Sequence, residues 1–71
     1  MKLGPLKYRE LIAKLKRFGL NGPFLGGKHP YFLLKNRAIT VPNPHGRDVG
    51  LKNLKDIIKL LGITEKEFLE L

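Results

Sequence analysis

The sequence predicts an α+β fold with a helix, three short antiparallel strands, a second helix and a short C-terminal helix. Three observations predict it. Apolar residues recur at helical spacing over 8–18 and again over 54–61. Between these segments, 31–35 and 38–41 are rich in β-forming residues and are separated by only two residues, as in a hairpin. Residues 1–71 are therefore expected to form one domain, a sandwich whose helices pack on one face of the sheet.

The first helix is expected to begin near Pro5, because proline lacks the N–H group that would stay unpaired in a first helical turn. Gly19 is a suitable residue to end the helix. Its apolar face is expected to contain Tyr8, Leu11, Ile12, Leu15 and Phe18. The rest of its surface is basic and carries Lys7, Arg9, Lys14, Lys16 and Arg17. Such a surface is typical either of a solvated helix face or of one that contacts a nucleic-acid backbone.

Glycine and proline dominate 19–30, which predicts turns with room for a short strand around Phe24 and Leu25. The next two strands are expected to meet at a turn formed by Asn36 and Arg37, since asparagine tolerates the positive φ of a tight turn.

This turn sets the predicted pairing of the hairpin, in which Leu34 lies opposite Ile39 and Phe32 opposite Val41. Strand alternation puts these four apolar side chains on the core side of the sheet. The other face is expected to carry His29, Tyr31, Lys35 and Thr40.

Helix caps define the last part of the chain. Asn53 is expected to cap the second helix, with Asp56 at its N3 position, and Gly62 to end it. Thr64 and Glu67 have the spacing of a capping box, which predicts a short terminal helix.

Charge is the strongest compositional clue. The chain carries 14 Lys and Arg against 6 Asp and Glu, a formal net charge of +8. Residues 1–47 contain ten basic side chains and one acidic one, a net charge of +9, whereas four basic and five acidic side chains give 48–71 a net charge of −1. A polyanionic partner such as nucleic acid explains this asymmetry. Surface lysines that serve solubility are the alternative.

Composition also argues against several classes of protein. The chain has no cysteine, so it forms no disulfide or thiolate metal site. A domain of this size has little room for a large cofactor beside its core, and we expect neither a cofactor nor a metal ion. There is no apolar run of the ~20 residues that a membrane span needs and no signal-peptide pattern. We therefore expect a cytoplasmic protein without membrane partners.

The segment 26–31, Gly-Gly-Lys-His-Pro-Tyr, carries the candidate chemistry. RNA cleavage needs no cofactor, because the substrate's own 2′-OH is the nucleophile; it needs a base, an acid and cations near the phosphate. Imidazole, with an ordinary pKa of about 6.5, serves as either acid or base, which makes His29 the candidate catalytic residue. Lys28 and Lys35 are candidates for phosphate contact and Tyr31 for substrate contact. The alternative is an ordinary turn histidine beside a proline.

The remaining candidates are more scattered. His45, in the irregular segment 42–46, is a possible second acid or base, with a solvated loop histidine as the alternative. Lys14, Arg37 and Arg47 are further candidates for substrate binding.

In their order and spacing, four segments resemble the HicA (YcfA-like) mRNA interferase toxins over nearly the whole chain. They are Gly-Gly-Lys-His-Pro-Tyr at 26–31, Ile-Thr-Val-Pro at 39–42, Leu-Lys-Asp-Ile-Ile-Lys-Leu-Leu-Gly-Ile-Thr at 54–64, and Glu-Phe-Leu at 67–69. The resemblance implies an α-β-β-β-α fold like that of double-stranded-RNA-binding domains. It also implies ribosome-independent cleavage of mRNA, as the toxin of a type II toxin–antitoxin system, and neutralisation by a HicB-type antitoxin. The family's catalytic histidine lies in a Gly-Ser-His segment, which matches 27–29.

The chain departs from the family pattern at four positions. Lys28 replaces the family's serine, and His45 is displaced by one residue from the usual Val-Pro-x-His. Lys52 stands where glycine is usual before the second helix, and Asn53 replaces a capping threonine. The resemblance therefore carries over more firmly to His29 than to His45.

Two other functions also fit the sequence. One is a non-catalytic module of the same fold that binds double-stranded RNA or DNA, and the other is an adaptor whose basic surface meets an acidic protein. Only the nuclease requires His29, and salt-dependent retention of RNA separates the adaptor from the other two.

Overall fold

The computed structural model describes residues 3–41 and 48–71 and has α+β architecture. Its elements, in chain order, are α1 (Tyr8–Phe18), β1 (Asn21–Leu25), β2 (Pro30–Leu34), β3 (Arg37–Thr40), α2 (Leu51–Leu61) and α3 (Glu65–Leu69). The three strands form one antiparallel sheet in the order β1-β2-β3. The predicted order of helices and strands is thus confirmed.

Helix α1 ends where the sequence predicts, but it begins at Tyr8 instead of near Pro5. The later start arises because Leu6 pairs with Val49 and Lys7 is extended. Leu11 and Leu15 are fully buried on its apolar face. Gly19 follows the helix in the left-handed conformation, with a φ of 117°, and its N–H group contacts the carbonyl oxygens of Leu15 and Lys16. Glycine suits this position because it has no Cβ to clash in a left-handed residue.

The turn between β2 and β3 differs from the prediction. Lys35 and Asn36 form it, with φ values of 46° and 69°, the backbone that a two-residue hairpin turn requires at both central positions. Phe32 consequently pairs with Ile39, two residues away from the predicted pairing with Val41. A shift of two residues keeps the strand side chains on their predicted faces, because side chains alternate with a period of two. Lys35 is the exception, because it lies in the turn after β2 and not on the outer face of the strand as predicted.

The start of α2 was also predicted wrongly. The helix begins at Leu51 after the extended residue Gly50, so Asn53 lies inside its first turn instead of capping it. The other predicted caps are confirmed: Gly62 ends α2 in the left-handed conformation. Thr64 Oγ1 accepts a hydrogen bond from the Glu67 N–H at 3.1 Å, and Glu67 Oε1 accepts one from the Thr64 N–H at 3.0 Å.

The core lies between the apolar faces of the helices and one face of the sheet. Its largest fully buried side chains are Phe32, Phe68, Leu11, Leu15, Ile39, Leu54, Val41 and Val49. A two-residue bridge closes this core near the N-terminus, where the main chains of Leu6 and Val49 bond to each other at 3.2 and 2.6 Å. Within 3–41 and 48–71, no helix combines the length and apolarity needed to cross a membrane.

Candidate functional site

The bend at 26–29, between β1 and β2, carries the two residues most strongly implicated by the sequence. Lys28 and His29 are both exposed there. The next residue, Pro30, is buried and begins β2, so the bend is anchored to the sheet directly after the histidine. A Cβ added to Gly27 would meet nothing within 4 Å, which shows that the surface beside the two side chains is open. The bend therefore exposes an imidazole and an ammonium group on consecutive residues.

An aromatic pair lies beside this bend. Tyr31 is half-buried, and its ring centroid lies 5.5 Å from that of Phe24 in β1, with the two ring planes inclined at 34°. Phe24 pairs with Tyr31 across the strands and stays 40% exposed. The Tyr31 ring also reaches the bend, because a Cβ built on Gly26 would lie 3.3 Å from Tyr31 Cε1.

Phe24 is a site residue that sequence reasoning missed. The sequence predicts a short strand around Phe24 but does not indicate its partner. The register between β1 and β2 shifts between Asn21 and Phe24, so strand alternation alone does not give the pairing with Tyr31. An aromatic residue in a segment otherwise rich in Gly and Pro was the available signal.

Lys35 and Arg37 lie at the opposite end of the sheet from the bend. Lys35 is in the turn that follows β2 and Arg37 begins β3, and both are exposed. His29 and Lys35 are six residues apart on either side of a strand, a separation of ~20 Å at ~3.3 Å per residue. Lys28 and Lys35 therefore cannot hold one phosphate between them and would contact a ligand as separate cations.

Lys14, a candidate for substrate binding, contacts the end of α3, which the sequence did not predict. Its Nζ donates to the main-chain oxygens of Phe68, Leu69 and Leu71 at 3.3, 3.2 and 3.1 Å. The ammonium also lies 5.5 Å from the centroid of the Phe68 ring, within cation–π range. Arg17 supplements this contact by donating to the Leu71 oxygen at 3.1 Å. These bonds bind the end of α3 to α1.

The site lies in a part of the sequence whose charge is almost uniformly positive. Glu10 is the single acidic residue in 1–47, and it lies in the first turn of α1, where the helix dipole favours a carboxylate. The candidates His45 and Arg47 lie outside the residues that the structure describes. Across 3–41 and 48–71, no group of three or more His, Asp or Glu side chains is arranged to hold a metal ion.

Comparison with protein-family models, with curated proteins and with solved structures found no match for this chain. The resemblance to the HicA toxins therefore stays a prediction.

Proposed function

We propose that this protein is an endoribonuclease that cleaves mRNA at the bend carrying Lys28 and His29, and that it acts as a toxin neutralised by a HicB-like antitoxin. One observation carries the proposal: an exposed imidazole and an exposed ammonium are adjacent on an open glycine bend, next to an aromatic pair. The α-β-β-β-α order supports a fold like that of double-stranded-RNA-binding domains, and the HicA-like segments support the toxin assignment.

The proposed chemistry uses the 2′-OH of the substrate as nucleophile. The His29 imidazole takes the proton of this hydroxyl, and the 2′-oxygen attacks the adjacent phosphorus. The bond from phosphorus to the 5′-oxygen breaks, and this oxygen takes a proton from a second donor, for which His45 is the candidate. The products are a 2′,3′-cyclic phosphate and a 5′-OH end. Each acid or base role typically contributes about 10²- to 10⁴-fold.

The neighbours of His29 supply charge and position. Lys28 is close enough in the chain to place its ammonium beside the attacked phosphate, where it stabilises the added negative charge of the transition state. Lysine acts there as a mobile point charge, unlike the family's serine, so it strengthens phosphate binding without offering a hydroxyl. Tyr31 lies next to the bend and orients the nucleotide that enters it.

The direct test is incubation of a defined mRNA fragment with the wild type and with His29→Gln, in EDTA and in Mg²⁺. We expect the wild type to cleave in both buffers and to leave 2′,3′-cyclic phosphate ends, and His29→Gln to lose at least about 100-fold in rate. His29 is exposed, so the variant should keep the wild-type Tm. A folded His29→Gln protein that cleaves at the wild-type rate would exclude this histidine.

The same assay separates the nuclease from the non-catalytic alternative. Salt-dependent RNA binding without cleavage by the wild type would indicate an RNA-binding module, and no RNA binding would favour the adaptor. The proposed antitoxin is tested by competition: an acidic HicB-like protein should displace labelled RNA from His29→Gln, and its association should slow at high salt. A ternary complex with unchanged RNA affinity would show that the partner does not cover the bend.

A further inference from the structure

The outer face of the sheet is apolar at its centre. Pro30 and Phe32 of β2 point into the core and are buried, whereas Tyr31 and Leu33 alternate with them and lie outside the core cluster. The buried strand residues Phe32 and Ile39 are paired with each other and alternate with the residues of this face. Among the residues that the structure describes, this face therefore carries side chains that do not belong to the buried core.

Phe24 and Tyr31 form an aromatic platform on this face. Phe24 is 40% exposed, and its partner across the strands, Tyr31, is half-buried. An aromatic ring gains most from burial among apolar groups or from stacking on another flat surface. Phe24 uses part of this capacity against Tyr31, and among the described residues 40% of its surface stays exposed.

One cation stands near each end of the sheet. Lys28 lies in the bend next to the platform, and Lys35 lies in the turn at the far end of β2, about 20 Å away. Arg37 is not one of them, because it lies two residues before the buried Ile39 along β3 and so belongs to the core side of the sheet. A single RNA strand that crosses the sheet from the bend to the hairpin turn can place phosphates near both groups while its bases face the platform. By contrast, two cations of the basic α1 surface, Lys14 and Arg17, contact the main-chain oxygen of Leu71.

We propose that the aromatic platform of Phe24 and Tyr31 stacks unpaired nucleobases and makes the protein selective for single-stranded RNA. This rests on the proposed function, since RNA is the ligand in both. Bases in a duplex are stacked on one another and cannot lie flat on a protein ring, whereas the bases of a single strand are free to do so. A strand bound across the sheet would also pass directly beside His29. A duplex bound along the basic surface of α1 would not need the platform.

The platform is tested by binding in a His29→Gln background, which prevents cleavage. A labelled RNA of about ten nucleotides is titrated as a single strand and as its duplex. We expect Phe24→Leu and Tyr31→Leu to weaken single-strand binding by about 5- to 150-fold, the range of aromatic stacking on one base, and Phe24→Tyr to retain it. Leu60→Ala is the matched control, because Leu60 is similarly exposed, at 43%, but lies on α2. It should change the affinity by less than about 2-fold.

A second measurement locates the bases independently of affinity. RNA with 5-iodouridine is photocrosslinked to the same protein, and we expect the adducts on Phe24 and Tyr31. Unchanged affinity in folded Phe24→Leu and Tyr31→Leu, or adducts confined to α1, would overturn the platform while leaving the nuclease proposal standing. Equal affinity for duplex and single strand would also overturn it. If His29→Gln loses cleavage but Phe24→Leu and Tyr31→Leu leave RNA affinity unchanged, the nuclease proposal is supported and the platform is not. A concentration-dependent dimer that Phe24→Leu abolishes would assign the face to a second copy of the chain.

Discussion

Because Lys14 contacts the end of α3, we expect its replacement to lower the stability of the protein. Its position on a basic helix surface alone would not suggest this. In Lys14→Met the side chain keeps its length and its helix propensity, so the loss is confined to the ammonium. That group donates to three main-chain oxygens and lies over the Phe68 ring.

The magnitude follows from these contacts. Hydrogen bonds that involve a charged group contribute about 1.5–3 kcal/mol when buried, but this ammonium is only partly buried and water can replace it at the carbonyl oxygens. Methionine also retains a favourable sulfur contact with an aromatic ring. We therefore expect the free energy of unfolding to fall by about 1–2 kcal/mol, which lowers the Tm of a domain of this size by about 4 °C or more.

The assay is urea unfolding of Lys14→Met beside Lys16→Met. Lys16 lies on the same helix and is exposed, so both variants lose one positive charge, but Lys16→Met should change the free energy of unfolding by less than about 0.5 kcal/mol. RNA affinity, measured well below the Tm, should fall no more in Lys14→Met than in Lys16→Met. Equal stabilities, or a selective loss of RNA binding in Lys14→Met, would refute the structural role and return Lys14 to the substrate surface.

Three further predictions follow. Gly22 has a φ of 142°, and a Cβ there would lie 2.9 Å from the Phe32 ring. Gly22→Ala should therefore destabilise the protein by about 2 kcal/mol or more in thermal unfolding, whereas Gly27→Ala, in open space, should cost less than about 1 kcal/mol. Equal Tm losses would contradict this. Thr64→Ala removes the side chain that caps α3 and should cost about 1 kcal/mol by urea unfolding; an unchanged midpoint would show that the cap contributes nothing. Lys28→Ala should reduce the slope of log K against log salt for RNA by up to about one unit, and the exposed Lys66 of α3 should give no such change when replaced; equal slopes for the two variants would place the RNA elsewhere.

Local signals in the sequence predicted most of the fold. Gly19 and Gly62 end their helices, and Thr64 with Glu67 forms the predicted capping box, because each of these features depends on a few consecutive residues. The start of α2 was misplaced because Gly50 precedes the helix without a side-chain cap, so Asn53 offered the only polar signal nearby.

The pairing of the hairpin could not be predicted from the burial pattern. Pairings that differ by two residues bury the same side chains, and only the turn distinguishes them. That turn places Lys35 at a φ of 46°, a conformation for which lysine gives no signal in a sequence.

At the candidate site, the sequence placed Lys28 and His29 together because they are adjacent, and the structure keeps both exposed. It could not show that Lys14 contacts residues more than fifty positions later. A lysine on a solvated helix face and a lysine that bonds to a distant part of the chain look the same in a sequence. For the same reason it did not single out Phe24, whose neighbour in space belongs to another strand.

The alternation along β2 assigns stability and ligand contact to different residues, whereas in many binding proteins the same residues must serve both. Phe32 is fully buried and stabilises the fold, whereas Tyr31 and Leu33, on either side of it, contribute little to the core. Substitutions at the outward positions can therefore change which ligand the sheet binds while destabilising this 71-residue domain only slightly. Such a strand allows ligand preference to diverge quickly between descendants while the scaffold stays the same, provided that the inward residues are kept.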